Sequence, residues 1–202
     1  MREVLAAVAT AHWQFDRVSL GFPGPVRQGS PQREPWNLGK GWVGFNFARA
    51  FGCPVRVIND AAMQALGSYD GGKMLFLGLG TGLGTALMLD GTLIPLELAH
   101  LPYSHHKTYE QSVGDLEMKR IGKKRWRKRV LDIVDRFMAA FQVDYIVLGG
   151  GNSRHMHELP KDVRLGSNAN AFVGGFRLWE DKRFDSTHAH HAHTREAAKK
   201  RL

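Results

Sequence analysis

Residues 77–84 read Leu-Gly-Leu-Gly-Thr-Gly-Leu-Gly. Closely spaced glycines let a backbone approach an anion and turn its N–H groups toward phosphate oxygens, and the Thr81 hydroxyl adds a donor. Gly80, Thr81, Gly82 and Gly84 are therefore candidate phosphate contacts. A plain glycine-rich hairpin is the competing reading. The string does not end in Gly-Lys-Ser/Thr, so it is not a Walker loop. A strand rather than a helix follows it, which makes it a poor dinucleotide fingerprint.

Three further groupings could do chemistry. Asn59-Asp60 follows the short apolar run 55–58. A carboxylate at a strand end can take the proton from an attacking hydroxyl, and the adjacent amide can hold a neighbouring hydroxyl. Asp60 could equally cap the helix that follows. Glu97 and His100 are three residues apart, which places them on one side of a helical turn. Such a pair suits a polyol, the acid accepting from hydroxyls and the imidazole donating. A metal is the other reading, with His105-His106 nearby, but the chain has a single cysteine, Cys53, and zinc lacks support. Gly149-Gly150-Gly151 ends the strand-like run 145–148. It reads either as a nucleotide contact at a helix start or as a simple strand-to-helix turn.

A net charge of +9 favours an anionic partner. Much of the excess lies in residues 119–129, Lys-Arg-Ile-Gly-Lys-Lys-Arg-Trp-Arg-Lys-Arg. A solvated helix face, polyphosphate contact and nucleic-acid contact are the readings of that run. Its one aromatic, Trp126, fits an apolar stripe and points to the core. One cysteine excludes an internal disulfide framework, and a reducing cytoplasm is the simple location. No uninterrupted apolar run is long enough to span a bilayer, and residues 1–10 have no clear signal-peptide cleavage pattern. His188, His190, His191 and His193 lie in the polar segment 182–202, expected to be a disordered tail without a native metal role.

The elements that must position these residues alternate in type, which argues for an α/β class. Helices are expected over 3–12, 44–51, 60–68, 108–118, 124–141 and 168–179, the last weakened at Gly174-Gly175. Strands are expected over 17–22, 55–58, 74–79, 85–90, 92–95 and 145–148. In 124–141 the apolar residues Trp126, Val130, Ile133, Val134, Phe137 and Met138 recur every three to four positions.

The order of these strings resembles the ROK family of sugar kinases and repressors, and within it the polyphosphate glucokinase branch. The strings are residues 21–26 (Gly-Phe-Pro-Gly-Pro-Val), Trp36-Asn37-Leu38 with residues 41–44, Asn59-Asp60, residues 79–84, Glu97 with His100, residues 147–151, and 168–175. The resemblance implies a two-lobed, actin-like (ribonuclease H-like) ATPase fold with its N-terminal lobe truncated. Residues 1–58 would be a partial N-terminal lobe and 59–165 the C-terminal lobe with the phosphate loop, followed by a C-terminal helix at 166–181. It implies a glucokinase-type transfer from polyphosphate or ATP, with Mg²⁺, to a hexose hydroxyl. Asp60 would be the general base. Asn37, Asn59, Asp60, Glu97 and His100 would hold the sugar, and Gly80, Thr81, Gly82 and Gly84 the donor phosphates. Gly149, Gly150 and Gly151 would face the nucleoside or the matching part of a polyphosphate. A homodimer and no structural zinc are further implications.

The chain departs from the family where such kinases carry Asp-x-Gly-Gly-Thr in an early strand, since no such string occurs in these 202 residues. Either the reading frame starts upstream, or the chain binds sugar or a partner without efficient transfer. Leu96 and Ala99 also replace glycines that often flank the Glu and His. A repressor's helix-turn-helix finds no room before Val18.

Overall fold

A computed structural model describes residues 1–35, 38–104 and 106–180. Asn37, His105 and the histidines of the tail lie outside the described residues. The chain divides into two compact units, one formed by Met1–Ile58 with the chain from Phe176 onward, the other by Asn59–Gly175.

The first unit contains helix α1 (Arg2–Thr10), strand β1 (Val18–Phe22), the two-residue strands β2 (Val26–Arg27) and β3 (Ser30–Pro31), helix α2 (Phe47–Phe51) and strand β4 (Val55–Asn59). Strand β1 pairs with β4, and β2 with β3. Its core is small: Phe22, Phe47 and Val57 are buried, with Trp42 and Phe45 packed against them. The glutamate at position 34 organises the loop beyond it. Its carboxylate accepts from the N–H groups of Gly41, Trp42 and Val43 at 3.0, 3.0 and 3.4 Å. Those bonds, led by the one from Trp42, hold the Glu34 carboxyl below its ordinary value.

The second unit begins with helix α3 (Asp60–Ser68) and then strands β5 (Lys73–Leu79), β6 (Leu83–Leu89) and β7 (Thr92–Leu96). After a 3₁₀ turn at Leu98–His100 come strands β8 (Pro102–Ser104) and β9 (Lys107–Thr108). Helices α4 (Tyr109–Val113), α5 (Asp115–Ile121) and α6 (Lys123–Phe141) follow. Strand β10 (Tyr145–Gly149), a 3₁₀ turn (Gly151–His155), strand β11 (Val163–Leu165) and helix α7 (Asn170–Glu180) complete it, the end of α7 belonging to the first unit.

Its five-stranded sheet runs β11-β10-β5-β6-β7, with β10 parallel to β5 and β11, and β6 antiparallel to β5 and β7. Alternation along β5 decides what covers each face. Leu75, Leu77 and Leu79 pack with Trp126, Val130, Ile133, Val134 and Phe137 of α6. The periodic stripe read from 124–141 is therefore buried, and each such side chain contributes roughly 1.5–3 kcal/mol. Trp126 also donates its indole N–H to the Val113 carbonyl at 2.8 Å.

Met74 and Phe76 lie on the opposite face of β5, toward α3, whose small Ala61, Ala62 and Ala65 allow close approach. Gly174, expected to weaken the last helix, has a packing reason: a side chain there would overlap the Met63 carbonyl of α3. Gly67 of α3 has the matching constraint against the Asn170 carbonyl.

Two local expectations are corrected. The single helix over 108–118 is two helices, broken at Gly114, which has an extended ψ of 165°. A side chain at Gly114 would come within 2.7 Å of the Thr81 carbonyl oxygen. The break therefore serves a tertiary contact. Gly149-Gly150-Gly151 leads into a 3₁₀ turn, not a regular helix.

Candidate active site

Strands β5 and β6 are joined by residues 80–82. The Gly80 N–H closes this turn on the Gly82 carbonyl at 3.1 Å. The Gly80 carbonyl accepts from the Asp115 N–H at 3.0 Å and from Asn152 Nδ2 at 3.2 Å. The Asp115 N–H also reaches the Thr81 carbonyl at 3.4 Å. Helix α5 and the turn after β10 thus draw the loop's carbonyls to themselves. The N–H groups of Thr81 and Gly82 and the Thr81 hydroxyl have no partner among the described residues. Carbonyls occupied and amides open is the arrangement an anion requires.

The glycines have distinct reasons. A side chain on Gly82 would strike the Glu110 carboxylate. At Gly84 it would come within 2.6 Å of the Ala61 Cβ, so Gly84 lets α3 lie directly on the hairpin. Gly149 makes room for the Phe76 ring. Gly150, at φ +78°, passes against the Leu79 backbone. Gly151 faces open space.

Contact between Gly84 and Ala61 puts the start of α3 against the strand that follows the 80–82 turn. The residue expected to cap that helix was Asp60, and this is corrected. Asn59 is the cap, its Oδ1 accepting from the Ala62 N–H at 3.1 Å, because the extended chain of β4 ends there. Asp60 occupies the first helical position, and its carboxylate accepts from the Ala61 N–H at 2.8 Å. The side chain keeps accessible surface, yet protein crowding strips enough water to push its carboxyl above the ordinary value. The bond from Ala61 opposes that shift without cancelling it. A carboxylate raised in this way is a better proton acceptor.

Glu97 precedes the 3₁₀ turn that ends at His100, and both are exposed. His100 Nδ1 lies 3.8 Å from Oε2 of Glu110 on α4. The structure therefore brings together Gly80, Thr81, Gly82 and Glu110, then Glu110 and His100, and separately Gly84 with the Asn59-Asp60 corner. Glu110, Asp115 and Asn152 carry much of this geometry and were not singled out from the sequence as site residues. Asn152 directly follows the Gly149–Gly151 string, and no reading of the sequence used Gly114, whose break aims α5 at the loop. Nothing local marked Glu110.

Beneath α4 and α5 lies a buried carboxylate, Glu117, 6% exposed. It accepts from Arg120 Nε at 2.7 Å, Lys107 Nζ at 2.9 Å and Arg129 Nη1 at 2.6 Å. These partners, Arg120 first, hold its carboxyl well below the usual carboxylate range. Two cations of the basic run thus have a structural duty. Among the described residues no group of three or more His, Cys, Asp or Glu gathers as a metal site, and no helix is long and apolar enough to cross a membrane.

No family model matches the chain. Polyphosphate glucokinase of Mycobacterium tuberculosis (strain ATCC 25618 / H37Rv) is 30% identical to it over 151 residues, 68% of this chain and 57% of that protein. Polyphosphate glucokinase of Mycobacterium leprae is 28% identical over 166 residues, 75% of this chain and 51% of that one. The chain therefore spans little more than half the length of these curated relatives. Inorganic polyphosphate/ATP-glucomannokinase from Arthrobacter sp. strain KM matches the structure with a TM-score of 0.72 at 23% identity, over 86% of this chain and 79% of that one. A ROK family glucokinase from Streptomyces griseus, solved with glucose and AMPPNP, matches with a TM-score of 0.67 at 17% identity, over 88% and 86%.

The chain is similar in sequence to the polyphosphate glucokinases and in fold to these solved structures, a ROK glucokinase among them. That shared fold is the actin-like α/β fold. The mixed five-stranded sheet with α6 on one face and α3 on the other is the part of that fold which carries the loop and the Asn59-Asp60 corner.

Proposed function

We propose that the chain is a glucokinase-type sugar kinase that transfers a phosphoryl group from polyphosphate or ATP to a hexose hydroxyl. The observation that supports this reading is the packing of Gly84 on Ala61, which sets the first turn of α3, where Asp60 lies, against the strand that follows a hairpin with open amides. Asp60 takes the proton of the attacking hydroxyl as that oxygen bonds to phosphorus and the bond to the donor's bridging oxygen breaks. Thr81 and Gly82 donate to the phosphate oxygens through their N–H groups, and the Thr81 hydroxyl supports them. Asn59, Glu97 and His100 hold the sugar, and Glu110, reaching toward both His100 and the loop, adds an acceptor for a hydroxyl. Gly149–Gly151 line the place of the nucleoside or of further phosphates.

Magnesium fits this donor set, because Mg²⁺ is commonly held through substrate phosphates with few protein ligands, and it supplies charge neutralisation on the donor. The polyphosphate glucokinases among the relatives and the shared fold support the reading. Sugar phosphate formed from glucose, donor and Mg²⁺, and lost in Asp60→Ala with the fold intact, is the expected result. Full activity in Asp60→Ala would remove Asp60 as the base.

A second reading is sugar binding without transfer. Glucose binding by calorimetry together with no product from any donor would select it.

A further inference from the structure

The basic run supplies more cations than the structure uses. Arg120 and Arg129 hold Glu117, and Lys119 pairs with Asp115 at 2.5 Å. Lys123, Lys124, Arg125, Arg127 and Lys128 form no ion pair among the described residues. They occupy the first two turns of α6, whose N-terminus has no side-chain cap and no acidic residue in its first turn. The helix dipole is positive there, so each cation is placed where the helix itself disfavours it. A sequence selected for helix stability alone would carry Asp or Glu at these positions.

Some of these cations are continuous with the phosphate loop. The Gly80 carbonyl is bonded to Asn152, and Asn152 to the Asp115 carboxylate. Lys119 and Arg154 both act electrostatically on Asp115. Arg154 directs its Nε to the His155 ring at 3.5 Å, and Arg127 reaches the His155 carbonyl at 3.5 Å. Loss of water around His155 disfavours its charged form, and the nearby charges of Lys123, Arg154 and Arg127 add to that effect. The order from the loop outward is therefore Asn152, Lys119 and Arg154, His155, then Lys123 and Arg127. Asp115 is the one carboxylate along it, and it is already paired.

We infer that this track binds the distal phosphates of a long inorganic polyphosphate whose reacting end lies at the Gly80–Gly82 loop. The inference rests on the kinase reading for which end of the chain reacts, and it adds a binding surface that reading does not require. Polyphosphate fits better than nucleic acid for a physical reason. The track presents cations and one imidazole, and no exposed aromatic on which bases could stack, since Trp126 is fully buried. A ligand whose every unit carries charge fits such a surface.

The probes are tripolyphosphate and long-chain polyphosphate, with affinities measured by calorimetry on the full chain without sugar. Lys123→Glu/Arg127→Glu is expected to weaken long-chain polyphosphate about tenfold or more at low salt and to leave tripolyphosphate within about twofold. The slope of log K against log salt should fall by about one to two, as for lost phosphate contacts. Lys123→Ala/Arg127→Ala should show the same pattern more weakly, which keeps the test open if the charge reversal fails to fold. Lys73→Glu, at the far end of β5 from the loop, is the control and should change nothing.

Equal losses for both lengths, no loss for either, or the same loss from Lys73→Glu would each overturn the track. So would wild-type preference for a single-stranded oligonucleotide over polyphosphate, with that preference lost in the double variant. A chain that binds long polyphosphate selectively but forms no sugar phosphate would sink the kinase reading and leave the track standing. A kinase whose KM for long polyphosphate is unchanged in the double variant would sink the track alone.

Discussion

The donor side and the acceptor side of the candidate site are built in opposite ways. On the donor side, residues 78–84 are fixed by neighbours. Gly82 abuts Glu110, Gly84 abuts Ala61, and the loop carbonyls are bonded by Asp115 and Asn152. Behind them Glu117 ties β9, α5 and α6 together. On the acceptor side, Asp60, Glu97 and His100 are exposed, and His100 lies 3.8 Å from Glu110. In the proposed kinase, rigid backbone would serve the ligand part that is always phosphate. Exposed side chains would serve a ligand recognised by many hydroxyls. The two sides should therefore fail differently, the donor side losing stability with function and the acceptor side losing function alone.

The largest expected effect is on the acceptor side. Asp60→Ala should lower the rate of sugar phosphorylation by about 10²–10⁴-fold, the range for loss of a general base. Its melting temperature should stay near wild type because Asn59 provides the cap. Asn59→Ala should do the reverse in part, costing about 1 kcal/mol of stability through the lost cap. Equal thermal losses in both variants would mean that Asp60, like the capping Asn59, is fixed by the fold.

Glu117 tests the donor side. Glu117→Ala should cost roughly 3–5 kcal/mol, since it leaves Lys107, Arg120 and Arg129 gathered around nothing. The pH dependence has a defined sign. The folded Glu117 carboxyl lies well below its unfolded value of about 4.3. Its contribution is therefore complete above that value and is lost as pH falls toward the depressed one. Melting curves from pH 7 to 3 should decline more steeply below about pH 4.5 in wild type than in Glu117→Gln. A smaller effect is expected from Gly114→Ala. Its φ of −64° suits alanine, so the cost comes from the new Cβ against the Thr81 carbonyl. Roughly 1–3 kcal/mol is expected, together with weaker donor binding and an unchanged KM for sugar.

Periodic and repetitive features were legible in the sequence. The stripe on α6 and the strand–turn–strand at the glycines could both be read locally, because each is set by near neighbours in the chain. Gly114 could not. A glycine inside a helical pattern costs only about 1 kcal/mol, and the reason for the break is a carbonyl more than thirty positions earlier. The choice between Asn59 and Asp60 as cap was also closed to local reading, since both residue types cap well. It was decided by the residue at which extended backbone ends, with Asn59 at ψ 144°. Glu110 owes its place to the packing of α4 on β6, and Asn152 to the pairing of β10 with β5, which no short window contains. Asn37 lies outside the described residues.

The smallest effect is the most discriminating. The Asp60 carboxyl is pushed above its ordinary value by desolvation. Between the unfolded and the folded value the native state holds the extra proton, so stability falls as pH rises through that window and stays lower above it. An ionised Asp60 therefore costs the fold something at neutral pH, as expected for a group kept for chemistry. Asp60→Asn should relieve that cost. Because part of the carboxylate remains open to water, the gain should be below about 1 kcal/mol, about 1–3 °C in melting temperature at pH 7. At pH 3, where wild-type Asp60 is protonated, the two proteins should melt together. A lower melting temperature for Asp60→Asn at pH 7 would mean that the bond from Ala61 outweighs desolvation. Asp60 would then belong with the fixed residues of the donor side, and the contrast between the two sides would fail at the residue proposed as the base.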